Sequence, residues 1–176
     1  MSDTILNTPG AAFAGLSNSA AARLLALLVP VGLLGGALFS EYVGHLWPCE
    51  LCWWQRYPHA AAIPLAMAAF LFPAEGGKAR ALTMLAALAI AVSGAIGVYH
   101  AGVEAQIFKG FTACSTMGSG AASTDELLKQ IMKVPLIQCD QVQWRFLGLS
   151  LAAWNAVISL AGAAFIAALL MRRRAA

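Results

Sequence analysis

Four long apolar runs constrain this chain more than any other feature. They cover about residues 24–42, 53–72, 81–99 and 146–171. A helix needs roughly 20 apolar residues to cross a hydrocarbon core about 30 Å thick, and each run is long enough. The runs are continuous rather than alternating, so they read as helices and not as barrel strands. Composition agrees, with 60% of residues hydrophobic and 11% charged. A soluble domain is about half apolar and a quarter charged, so in water this chain would leave apolar surface uncovered. The expectation is an all-α membrane protein: one domain over residues 1–176, built as a four-transmembrane-helix bundle with two loops on the far side. Pro58 and Pro64 fall inside the second run and predict a local kink.

Orientation follows from the basic residues. The polar start, with Asp3 and no basic opening, is unlike a signal peptide, so the first span is read as retained. With four spans, Arg23, Lys78, Arg80 and the Arg172–Arg173–Arg174 cluster share one side, which should be cytoplasmic together with both termini. The loops at about 43–52 and 100–145 then face the periplasm, although Lys109, Lys129 and Lys133 vote weakly the other way. Within the longer loop, Ser123 and Glu126 fit a capping box, with Leu127, Leu128, Ile131 and Met132 on one face and Pro135 as the stop. That short helix lies either on the bilayer surface or against the protein itself. The net charge is only +3 and no basic stripe interleaves with aromatics, so nucleic acid is not an expected partner.

All four cysteines fall in those two loops: Cys49 and Cys52 in the first, Cys114 and Cys139 in the second. Four cysteines allow three pairings, and in an oxidising periplasm disulfides persist. Cys49-x-x-Cys52 at the start of a helix is a redox-competent spacing. One thiol resolves what the other attacks, and unpaired N–H groups at the helix end favour a thiolate. Arg56 lies one helical turn beyond Cys52 on the same face. There it either supports a thiolate or a reduced oxygen on a bound ring, or serves only as an interfacial anchor. Gln55 reads as a donor to a quinone carbonyl or as a structural amide. Trp47, Trp53 and Trp54 read as interfacial belt residues.

Haem attachment is excluded because Trp53, not histidine, follows Cys52. A zinc site would need all four cysteines to converge, and no metal is expected. Two inert structural disulfides are the plainer alternative. Glycine and serine between 115 and 123 favour exchange at Cys114 by giving an attacking thiolate room, whereas a Cys114–Cys139 staple would merely close the loop.

The stretch Pro48-Cys49-x-x-Cys52 with Gln55-Arg56, then Cys114, Cys139, Trp144-x-Phe146-Leu147-Gly148-Leu149 and Trp154, resembles the disulfide bond formation protein B (DsbB) family of bacterial inner membranes. The likeness runs along nearly the whole chain from the first span. It implies a thiol:quinone oxidoreductase that reoxidises a periplasmic thioredoxin-like dithiol oxidase (DsbA-like) and passes electrons to ubiquinone or menaquinone. By motif, it implies Cys114 as the sulfur attacked by the partner, Cys139 as its companion, and Cys49–Cys52 as the pair that receives the electrons. A transient Cys49–Cys139 bond would link the two. It also implies quinone contacts from Cys52 and Arg56, with His100 or Glu104 as the polar residue near the end of the third span. Two other functions compete. A reductive enzyme like vitamin K epoxide reductase has its cysteines in the reverse order, and a tetraspanin-like scaffold would have thiols that ignore quinone.

Overall fold

The computed structural model describes residues 17–110 and 138–172. Cys114, the 115–123 segment and the expected helix between Ser123 and Pro135 lie outside the described residues.

Among the described residues, four helices form an antiparallel bundle: α1 (Asn18–Tyr42), α2 (Glu50–Ala69), α3 (Gly77–Glu104) and α4 (Leu151–Met171). Three of them begin on a side-chain cap that satisfies an otherwise orphaned backbone N–H. Ser17 Oγ accepts from Ala20 N at 3.2 Å, Cys49 Sγ from Cys52 N at 3.3 Å, and Ser150 Oγ from Ala153 N at 3.1 Å. The cap of α2 is therefore itself a redox-candidate sulfur.

In lipid, helices gain little from apolar burial and instead associate through close packing of small residues. The core follows that rule, with Ala22, Ala26, Ala62, Ala66, Ala86 and Ala87 buried around Ile90 and Ile166. At the α3–α4 crossing, a Cβ on Gly94 would come within 2.8 Å of Leu160 Cγ and 3.1 Å of Ser159 Cβ, so glycine sets that approach. Large apolar side chains such as Phe39, Leu85, Leu88 and Phe165 point outward. Helices α1, α3 and α4 are long and apolar enough to cross a membrane. Helix α2 is shorter and more polar, because Glu50, Gln55, Arg56 and His59 lie within it.

Three of the boundary shifts from the sequence expectation bear on the site. Helix α2 starts at Glu50 rather than residue 53 and stays helical through both Pro58 and Pro64, ending at Ala69. Helix α3 continues past residue 99 to Glu104, so His100 and Glu104 are helical and the second loop begins only after them. The fourth helix starts at Leu151, not at Phe146. A two-residue hairpin takes its place, β1 (Arg145–Phe146) against β2 (Leu149–Ser150). Its turn residues Leu147 (φ 50°) and Gly148 (φ 82°) are both left-handed, the signature of a tight hairpin turn that no helix can absorb.

The antiparallel arrangement sorts the polar groups. At one end, Arg23 Nη1 on α1 donates to the carbonyl of Ala69, the last residue of α2, at 2.9 Å and to Phe72 O just beyond it at 3.0 Å. At the other end lie Cys49, His100, Glu104 and Ser150.

Candidate functional site

The cysteine end of the bundle encloses a cavity of about 260 Å³. All four helices and the stretch around Gln141 and Trp144 contribute to its walls. Cys49 caps α2, and its Sγ lies 2.9 Å from Cys52 Sγ, so the CxxC spacing does bring the two sulfurs into reach. Cys139 is buried against Cys49 and Leu51 despite being 90 residues further along the chain than Cys49. A hydrogen bond with Cys139, the neighbouring Cys52 and burial all push the Cys49 thiol pKa up. Three sulfurs from two separate loops therefore share one buried corner.

Arg56 lies one turn below Cys52, and its guanidinium is buried rather than turned to water. It pairs with Glu41 of α1, donates to Ala37 O at 3.2 Å, and stacks over the Trp53 ring at 4.9 Å. The interfacial-anchor reading of Arg56 does not fit this placement. Glu41 was not singled out from the sequence. The signal was present, because an ionisable residue near the end of an apolar span calls for a partner.

His100 reaches the same corner from α3. Its Nε2 is 3.6 Å from Cys49 Sγ and 3.8 Å from Glu104 Oε1. Its Nδ1 is 2.8 Å from Gln55 Nε2. Gln55 has no free polar end: Nε2 also donates to Leu51 O at 3.1 Å, and Oε1 accepts from Asn155 Nδ2 at 2.8 Å. Asn155, on α4, in turn donates to Ser93 O at 3.3 Å. Its Oδ1 faces His59 Nε2 at 2.9 Å and accepts from Ser159 Oγ at 3.0 Å. The sequence reading missed Ser93, Asn155, Ser159 and His59. Each is a polar residue inside an apolar helix, and such residues face the bundle interior because lipid cannot satisfy them.

Cys49, Cys52 and His100 place their ligating atoms within 4.8 Å of one another, a spacing that would suit a soft metal ion. The hydrogen bonds oppose it. A metal at Nε2 needs that nitrogen bare and a hydrogen on Nδ1, which would then face the amide hydrogens of Gln55.

The cavity also suits a flat, mostly apolar ring with polar edges. His59 is 3% exposed and lines its deep wall, and its Nδ1 has no partner among the described residues. Gly32 and Gly36 of α1 line the cavity too, and a Cβ at either would meet nothing within 4 Å.

The chain matches the family model "Disulfide bond formation protein DsbB" over residues 19–169. Among curated proteins, it is 32% identical over 141 residues to disulfide bond formation protein B of Marinobacter nauticus, covering 76% of this chain and 80% of that one. The protein of the same name from Xanthomonas oryzae pv. oryzae is 30% identical over 138 residues, covering 76% and 80%. That from Shewanella sp. strain MR-4 is 30% identical over 165 residues, covering 91% and 90%. No solved structure matches the chain. Three membrane-length apolar helices, a thiol corner at one end of the bundle and matches along most of the chain lead to one conclusion: this is a multi-pass membrane protein that belongs to the DsbB family of disulfide bond formation proteins.

Proposed function

We propose that the chain is a thiol:quinone oxidoreductase that reoxidises a periplasmic DsbA-like dithiol oxidase. In this reading all four helices cross the inner membrane, both termini are cytoplasmic and the cysteine loops are periplasmic. The observation that carries the proposal is the burial of Cys139 beside Cys49 and Cys52, two sulfurs that line a cavity together with Arg56. A structural staple would need only two sulfurs in contact. Three gathered together, with the fourth cysteine on the same loop as Cys139, make a relay.

Each exchange balances internally. A partner thiolate attacks Cys114 of a Cys114–Cys139 disulfide, and Cys139 leaves as a thiolate. The partner's second thiolate then displaces Cys114, so the partner gains a disulfide and this pair becomes a dithiol. Cys139 attacks Cys49 of a Cys49–Cys52 disulfide, expelling Cys52 as a thiolate. Cys114 next displaces Cys49 from Cys139, which restores the loop disulfide and leaves Cys49 and Cys52 reduced. Ubiquinone or menaquinone, when bound, supplies a sink for two electrons and two protons. Arg56 would hold an oxygen that gains negative charge, His59 would meet a polar edge through Nδ1, and Gly32 and Gly36 leave room for the ring. Cys52 lines that space, as does Cys49. Gln55 acts through His100, since its own amide is fully engaged.

The test uses purified protein in detergent, reduced partner oxidase and ubiquinone, with quinone reduction followed by absorbance. Reduction that requires both the partner and Cys52 supports the reading. If folded protein reduces neither ubiquinone nor menaquinone, or if Cys52→Ser keeps full activity, the reading fails.

A further inference from the structure

The polar ladder across the bundle contains two fixed points that determine everything between them. A main-chain carbonyl can only accept a hydrogen bond. Asn155 therefore turns its NH2 group toward Ser93 O, which leaves Oδ1 on the side of His59 and Ser159. Gln55 likewise turns its NH2 group toward Leu51 O. Its Oε1 then meets the Asn155 NH2, a bond that works only in this orientation. With both amides set, the Gln55 group facing His100 Nδ1 at 2.8 Å is a donor, so Nδ1 must be the acceptor. In the neutral ring the hydrogen then sits on Nε2. That nitrogen is 3.6 Å from Cys49 Sγ, and the ring also hydrogen-bonds the Cys139 main chain.

We propose that Gln55 and Asn155 are positioning residues that lock His100 in its Nε2–H tautomer, so that an N–H donor always faces the Cys49 sulfur. The inference rests on the exchange reading given above and deepens it. When Cys114 displaces Cys49 from the Cys49–Cys139 bond, the electron pair of that bond leaves on Cys49 as a thiolate. The His100 N–H meets that charge without transferring a proton. In the opposite tautomer a bare nitrogen lone pair would face the same sulfur and raise the energy of the charged form. Three helices contribute: α2 supplies Gln55, α3 supplies His100 and Ser93, and α4 supplies Asn155. The tautomer is therefore set by how the helices pack, and the Cys139 main chain receives the same ring from the thiol loop.

The test is nitrogen NMR on the full-length protein labelled at histidine, which reads the tautomer of His100 directly and is assigned with His100→Gln. Wild-type protein is expected to show a single Nε2–H species. Gln55→Met and Asn155→Leu are expected to give mixed tautomers. In the reduced proteins, alkylation of Cys49 should slow by about tenfold at fixed pH, the scale of one hydrogen bond to a charged group. A wild-type Nδ1–H ring overturns the proposal whether or not any variant folds. So does an unchanged tautomer in both folded variants, or unchanged alkylation in a variant whose tautomer has changed. Failure of the exchange reading would look different: the tautomer and alkylation results would hold, while no Cys49–Cys139 disulfide could be trapped and no partner would be oxidised.

Discussion

Arg23 and Arg56 make nearly the same kinds of contact at opposite ends of the bundle. Each donates to a main-chain carbonyl on a neighbouring helix, and each stacks over an aromatic ring at 4.9 Å, Phe70 for Arg23 and Trp53 for Arg56. Their surroundings differ. Arg23 closes the carbonyl end of α2 beside an alanine core, where packing is tight. Arg56 faces a carboxylate and a cavity, and three sulfurs lie above it. An arginine can be held for stability anywhere along a helix. It can do chemistry only where the fold leaves space beside it and puts a reacting group within reach.

The largest effect that would break this contrast lies at the sulfurs. Cys52→Ser should reduce steady turnover by at least about a thousandfold with folding intact, because one exchange partner is missing. Ordinary turnover in that variant would remove the chemical distinction between the two ends. Next comes Arg56→Met, which leaves Glu41 buried without its partner. Stability measured by denaturation in detergent should fall by about 3–5 kcal/mol. The double change Arg56→Met with Glu41→Leu should recover much of that stability but none of the turnover. Recovery of both would place Arg56 with Arg23 as a structural residue. Arg23→Met should cost about 1–3 kcal/mol, since two carbonyls lose a charged donor, with turnover per folded molecule unchanged. The smallest stability effect should come from Gly36→Val, within about 1 kcal/mol, because its Cβ enters open space. Quinone affinity, read by binding and not turnover, should nonetheless weaken severalfold. Unaltered affinity would move the ring away from α1.

The helices were legible because spanning a bilayer requires a long apolar run, and α1 and α3 contain their expected spans entirely. Their ends were not, since hydrophobicity reports lipid and not hydrogen bonding. Phe146–Leu149 looks like helix by that measure, yet Leu147 and Gly148 turn back on themselves. At the site, Cys49, Cys52 and Arg56 were readable from local spacing, because one helical turn fixes which residues share a face. The meeting of Cys139 with Cys49, and of Asn155 with Gln55, depends on packing between segments about a hundred residues apart, and no local pattern encodes it. His100 could be placed near the right depth from its position in the third span. Its partners, and with them its tautomer, became visible only once α2, α3 and α4 were together.

The polar character of α2 also bears on how the chain is made. A lone segment carrying Glu50, Gln55, Arg56 and His59, with two prolines, would partition poorly from the translocon into lipid, since charged side chains are the costliest to place within a span. Helix α1 carries Glu41 and precedes α2 by only seven residues, 43–49. If α2 crosses the bilayer as proposed, the favourable route is for the two to leave the translocon as one hairpin with the Arg56–Glu41 pair already formed. The same ion pair whose arginine lines the cavity in the finished protein would then have served earlier as the ticket that admits α2 to the membrane.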